Sequence, residues 1–247
     1  MRTEEQVLER IERARRRRPR VREERITLAH GAGGKATGTL IEAVFLEAFR
    51  NPELEPLGDG AMVRVGDTRL AFSTDSYVVS PIFFPGGDIG DLAVNGTVND
   101  LAMCGARPLY LSAGFVLEEG FPVADLQRVV TSMARAAEAA GVRIVTGDTK
   151  VVERGKADGC FVTTAGVGLL DRPVTLGADR ARPGDVVLVS GPIGDHGVTI
   201  LLERGDLDID SDLTSDTAAM HTLAADLLDA GGEGVRVLRD ATRGGVA

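Results

Sequence analysis

The sequence has no tryptophan, two cysteines and three histidines among its 247 residues, and each shortage removes a class of protein. Cys104 and Cys160 are too few and too far apart for a disulfide framework or a thiolate zinc site. No apolar run approaches the ~20 residues of a membrane-spanning helix. The first 25 residues are charged, so they do not read as a signal peptide. These absences point to a protein of the reducing cytoplasm with no membrane partner.

Positive charge is scarce as well. The net charge is −9; the first 25 residues, with ten arginines and six glutamates, contribute +4, which leaves −13 on the rest. Phosphate neutralisation dominates nucleic-acid affinity, so a body this acidic is a poor partner for DNA or RNA. The segment "RARRRRPR" is the basic run. Its neighbouring glutamates, with Val7, Ile11 and Ala14 at helical spacing, favour a solvated, weakly amphipathic helix over a nucleic-acid arm. The same acids argue against a mitochondrial transit peptide.

Glycine, by contrast, is abundant at 31 residues, which suits a soluble α/β protein with many tight strand-to-helix turns. "ITLAH" reads as a short strand and "KATGTLIEAVFLEAF" as a helix ended by "NPELEP". "AMVRV" and "TRLAFSTDSYVVS" alternate on either side of Gly66-Asp67, a hairpin signature. A helix over "DIGDLAVNGTVNDLAM", a strand "RPLYLSAGFVL", a helix "PVADLQRVVTSMARAAEAAG", a buried strand "VRIVTGDTKVV" and a strand "CFVTTAGVGLL" follow. Beyond them come a strand "VVLVSG", a helix "VTILLER", an acidic loop over 204–216, a helix "TAAMHTLAADLLDAGG" and a strand "VRVL". The expected domains are a charged extension (1–25), a first domain (26–180) and a partial second α/β domain (181–247).

"LAHGAGGKATGT" resembles a phosphate loop without matching one. A P-loop needs Gly at the place of Ala29 and Ser or Thr at that of Ala36. Gly31, Gly33 and Ala36 meet the short dinucleotide pattern, but the helix leads to prolines and a hairpin instead of a parallel strand. Four aspartates sit at polar ends of apolar segments: Asp59, Asp75, Asp100 and Asp148. Taken singly, each reads as a turn cap. Asp75 and Asp100 lie among residues that should be buried, where an unpartnered carboxylate is costly. Asn95 and Asn99 share a helix face beside Asp100. Gathered together, such acids make sense around a hard divalent cation; with oxygen ligands alone, Mg²⁺ is the natural choice. Magnesium commonly shares its remaining positions with nucleotide phosphates, which gives Lys35 a role as a point charge.

"HGAGGK", "GDGA", "STDSYVVSPIFFPGGDIGDLAVNGTVNDLAMCGARP", "GDTKVV" and "RDATRGGVA", in that order from about residue 26 onward, resemble the HypE family of hydrogenase maturation factors. That family is part of the ATP-binding superfamily of aminoimidazole ribonucleotide synthetase, selenophosphate synthetase and thiamine-monophosphate kinase. The resemblance implies a mixed sheet flanked by helices, pairing as a homodimer through a β-barrel with MgATP near the interface. Carried over by position, Asp59, Asp75, Asp100 and Asp148 are metal ligands. Gly33, Gly34, Lys35, Asn99, Gly147 and Thr149, together with Asp75, Asp100 and Asp148, are ATP contacts. Lys35 and Lys150 are catalytic. His30 is expected to stabilise a turn, His196 to belong to a glycine turn, and His221 to be a helix residue.

The activity so implied is ATP-dependent dehydration of a carbamoylated C-terminal cysteine to a thiocyanate, the cyanide going to the iron of nickel–iron hydrogenase. The implied partners are a carbamoyltransferase and the iron-site scaffold proteins. The chain ends in Ala247 without a tail cysteine, and Cys104 and Cys160 read as core packing. The expectation is a chain that folds its first domain and dimerises but does not complete a cycle on itself. The alternatives are a selenophosphate synthetase, which would want a cysteine in the glycine loop, a thiamine-monophosphate kinase, and a non-catalytic maturation scaffold.

Overall fold

The structure, a computed structural model, describes residues 20–242 and Gly245; the helix expected over the arginine-rich arm lies outside them. There are two compact units: residues 57–240, and a smaller one drawn from 1–56 and 241–247.

In the larger unit the alternating segments form the expected hairpin. β1 (Ala61–Val65) pairs antiparallel with β2 (Thr68–Tyr77), from Ala61 opposite Phe72 to Val65 opposite Thr68. Gly66 takes a φ of +59° in the connection, a conformation that costs glycine nothing. A two-stranded ribbon, β3 (Phe83–Phe84) and β4 (Gly87–Asp88), leads into α2 (Ile89–Met103). The Asp88 carboxylate starts that helix by accepting the N–H groups of Gly90 (2.7 Å) and Asp91 (3.1 Å). β5 (Arg107–Glu118), α3 (Val123–Ala139), β6 (Arg143–Val152) and β7 (Cys160–Leu169) complete the domain.

The five strands form one mixed sheet in the order β1-β2-β7-β5-β6. Only β5 and β6 run parallel, and α3 is their crossover. α2 is buried around much of its circumference, as a central helix must be. It lies against β2 and β7 on one side and α3 on the other. Ile89, Val94, Val98, Leu111, Val129, Met133 and Val162 form the core between them. The other face of the sheet, with Phe72, Thr74, Tyr110 and Thr163, is exposed.

Several expectations are corrected. "ITLAH" is a 3-10 turn, Leu28–His30. β6 is a strand but not a buried one: it sits at the sheet edge, and Arg143 and residues 144–151 are exposed. "VVLVSG" and "VRVL" adopt no strand, because no ladder forms beside either among the described residues. The helix α4 (Asp195–Glu203) forms, but α5 (His221–Gly231) begins only at His221. Residues 217–220 are instead bonded to α2: Asn95 Nδ2 donates to Thr217 Oγ1 (3.2 Å), Asn99 Nδ2 to the Ala218 carbonyl (2.9 Å), and Met220 N–H to Asn99 Oδ1 (2.7 Å). In the smaller unit the expected helix comes in three pieces: α1 (Lys35–Leu40), a π-turn (Ile41–Phe45) and a last turn (Leu46–Phe49).

Candidate functional site

Period two along β2 puts Ser73, Asp75 and Tyr77 on the face that α2 covers; Ser73 and Tyr77 are buried there. α2 presents Asp100 to the same place. Ser73 Oγ ties the elements together, lying 2.7 Å from Asp100 Oδ2 and 3.0 Å from the Asp59 carbonyl oxygen. Tyr77 donates its hydroxyl to Asp75 Oδ2 at 3.0 Å. From the far end of the unit, Arg239 forms an ion pair with Asp59 at 2.6 Å.

The electrostatics follow from this crowding. Burial, and then repulsion from Asp75, Asp59 and Asp240, push the Asp100 carboxyl up to about 7 against the Ser73 hydrogen bond. Burial also raises Asp59, with Arg239 acting in the opposite sense. Burial beside Asp75 pushes the Tyr77 phenol far up, so it remains a donor. The Cys104 thiol is pushed up to about 12 by burial and by Asp59 and Asp100. It is therefore an unreactive packing group. Cys160, fully buried in the core, is another.

Asp59, Asp75 and Asp100 thus lie within electrostatic reach of one another, and Asp148 is placed elsewhere. Asp75 pairs with Thr164, Thr164 with Ala113, and Ala113 with Gly147. Asp148 is one residue further, so its side chain projects from the opposite, open face. Thr149 and Lys150 are also exposed on β6, and Lys150 shares Asp148's face. A Cβ at Gly147 would overlap the Ala113 carbonyl oxygen, which gives that glycine a packing reason of its own. Asn99 uses both ends of its amide on residues 218–220, as described above. Among the described residues, no three His, Cys, Asp or Glu side chains stand close enough to hold a metal ion as they are.

The glycine-loop residues belong to the smaller unit. Gly34 has extended backbone at the start of α1, Gly33 N–H donates to Thr37 Oγ1 at 2.9 Å, and Lys35 is exposed. His30 is buried, and its Nδ1 accepts the Thr27 N–H at 3.1 Å, the turn-stabilising part expected of it. His196 lies 3.0 Å from Ser215 Oγ, with its ring edge-on to Phe84.

The sequence reading missed Ser73, Tyr77, Arg239 and Asp240. Strand alternation through Asp75 singles out the first two, and Asp240 obeys the same rule as the other acids, a carboxylate at the polar end of an apolar run.

Comparison with known proteins defines the class. The AIR synthase related protein N-terminal domain matches residues 57–170, and the corresponding C-terminal domain matches residues 182–247. Carbamoyl dehydratase HypE of Rhodobacter capsulatus is 60% identical over 230 residues, covering 92% of this chain and 67% of its own. The structure superposes on a chain of a HypE–HypF complex with a TM-score of 0.79 at 50% identity, covering 84% of this chain and 67% of that one. A HypE structure in complex with ATP gives 0.69 at 52% identity, covering 90% and 66%. The chain spans 64% of several other curated relatives, a little under two thirds. The chain belongs to the AIR synthase-related family and, within it, to the HypE proteins.

Proposed function

We propose that this chain carries the ATP-binding part of a carbamoyl dehydratase, with Asp59, Asp75 and Asp100 at the centre of the nucleotide site. The observation that carries the reading is the convergence of these three carboxylates, from the loop before β1, from β2 and from α2, to within electrostatic reach of one another. A fold gains nothing from that repulsion, since two like charges about 4 Å apart cost roughly 4 kcal/mol at an effective dielectric near 20. A ligand of opposite charge offsets it.

The donor set fits magnesium. It is oxygen only, and the ion commonly takes one or two carboxylates while phosphate and water fill the remaining positions. Asp75 and Asp100 are the residues that would hold it, with Asp59 beside them, and when bound it supplies positive charge against the transferred phosphoryl group. The reaction activates the oxygen of a carbamoylated cysteine by phosphorylation, and the phosphate then leaves as the nitrogen loses its protons and the nitrile forms. Lys35 is assigned to the phosphates and Lys150 to the nitrogen end.

The uncovered sheet face and the exposed edge strand β6 support self-association. A second copy seated there is also where Gly147, Asp148, Thr149 and Lys150 would enter the chemistry. A carbamoyl-donor protein of the HypF kind, and proteins of the iron site, complete the set of partners.

A melting curve with MgATP, with NAD and with neither tests the reading. Saturation a hundredfold above the dissociation constant stabilises by about 2.7 kcal/mol, an upward shift of about 5–10 °C at this size. A shift with NAD alone, or with neither ligand, overturns it.

A further inference from the structure

We propose that Arg239 is the built-in counter-charge of the acid cluster, a guanidinium that a divalent cation displaces from Asp59. The inference rests on the ATP-site reading above and adds a residue to it. Arg239 Nη1 lies 2.6 Å from Asp59 Oδ1, and the partners of this ion pair are unequally exposed, the arginine side chain at 62% and the aspartate at 11%. The aspartate is the fixed partner. Ser73 Oγ lies 3.0 Å from its carbonyl oxygen and 2.7 Å from Asp100 Oδ2. A Cβ on the next residue, Gly60, would stand 3.1 Å from the Phe72 carbonyl oxygen and 3.0 Å from Cys104 Sγ, so this loop lies tight against β2 and the end of α2.

The arginine arrives on an anchored segment. Val235 and Leu238 pack against the buried cluster of Val174, Leu176 and Leu228. Gly177 N–H donates to the Arg236 carbonyl at 3.1 Å, and Arg236 forms an ion pair with Asp185. Backbone and carboxylate are therefore held, while the guanidinium stays at the edge of solvent. An ion pair with one partner in water contributes little to stability, so the arginine can leave at small cost. The enclosed carboxylate cannot follow it into solvent, and it is better off with some cation beside it. A divalent ion next to Asp59 carries twice the charge of the guanidinium, and two cations about 4 Å apart repel at least as strongly as two carboxylates do. Occupancy of the cluster is exclusive: the arginine or the ion.

The test is a titration with MnCl₂ alone, without nucleotide, in which electron paramagnetic resonance counts the free ion. Mn²⁺ takes the same oxygen ligands as Mg²⁺. Arg239→Gln removes the charge at an exposed position, and Arg239→Lys keeps it. The glutamine variant is expected to bind Mn²⁺ about threefold to tenfold more tightly than the parent, as when one screened like charge is removed from beside an ion, and the lysine variant to stay within about twofold of the parent. Asp100→Asn added to Arg239→Gln should abolish the gain, which places it at the cluster and not on the acidic surface. Unchanged or weaker binding in Arg239→Gln marks the arginine as a structural tie and overturns the proposal. So does a gain that survives Asp100→Asn, or a failure of both parent and Arg239→Gln to bind the ion. A parent protein that binds Mn²⁺ but gives no melting shift with MgATP overturns the ATP-site reading itself, a distinguishable outcome.

Discussion

Residues 57–170 and residues 182–240 contain equally apolar, β-branched segments, and these meet different fates. On β7, Val162 is fully buried; in "VVLV", Val186 is 82% exposed and Val187 79%. The difference is company. β7 has β2 hydrogen-bonded on one side and β5 on the other, with α2 across one face. Val186–Val189 have no such ladder among the described residues. Strand propensity describes fit to a pleated surface, and without neighbours it has little to act on. The acid cluster belongs to the well-packed region: rigid neighbours hold the three carboxyl groups near one another.

The sharpest way to break this comparison is to truncate one side chain in each region. Leu111 is 1% exposed in the core. Leu111→Ala is expected to cost about 2–5 kcal/mol through lost burial and a residual cavity, a fall of at least about 5 °C in melting temperature at this size. Val187→Ala is expected to stay within about 0.5 kcal/mol. Equal losses in thermal melts of the two variants would mean that "VVLV" is packed in solution.

Legibility in the sequence follows the same division. The β1–β2 hairpin, α2, β5, α3 and β7 are local patterns, set by alternation, capping at Asp88 and glycine turns, and they form as read. β6 is read correctly as a strand and wrongly as buried, since strand order is a tertiary fact that no stretch of β6 encodes. "VVLVSG" and "VRVL" satisfy a strand pattern but lack a partner. At the site, the acids were legible because carboxylates inside apolar runs violate local expectation. Which of them meet was not legible, because register puts Asp75 and Asp148 on opposite faces of one sheet. Ser73 and Tyr77 have no such mark, being ordinary strand residues until Asp75 is given a direction.

A second test concerns the cost of the cluster. The Asp100 carboxyl stands at about 7 in the fold, against 3.8 for the free side chain. Its raised value means that folding favours the protonated form. The penalty is therefore absent below about pH 4, grows between pH 4 and 7, and is complete above. Asp100→Asn keeps an oxygen acceptor for the Ser73 hydroxyl and removes the charge. In metal-free buffer at pH 8 it is expected to stabilise by an amount on the order of 2–4 kcal/mol, with the gain fading as the pH falls toward 4. A pH-independent effect in melts across that range would show that burial and the neighbouring acids do not raise the Asp100 carboxyl.

The smallest expected change in stability is the one that best defines the second region. Val187→Lys puts a charge into an exposed apolar run, and no buried contact is lost, so the melting temperature should move by no more than about 1–2 °C. Its effect belongs to association instead. An exposed β-branched strip with no ladder among the described residues can pair with a neighbouring molecule, and a lysine in such a strip opposes that pairing through charge and desolvation. Static light scattering at rising concentration should show less self-association for Val187→Lys than for the parent, whereas Val162→Lys, which places the same charge in the core, should prevent folding. A Val187→Lys protein that melts as early as Leu111→Ala would put "VVLV" inside a packed structure and erase the distinction between the two regions.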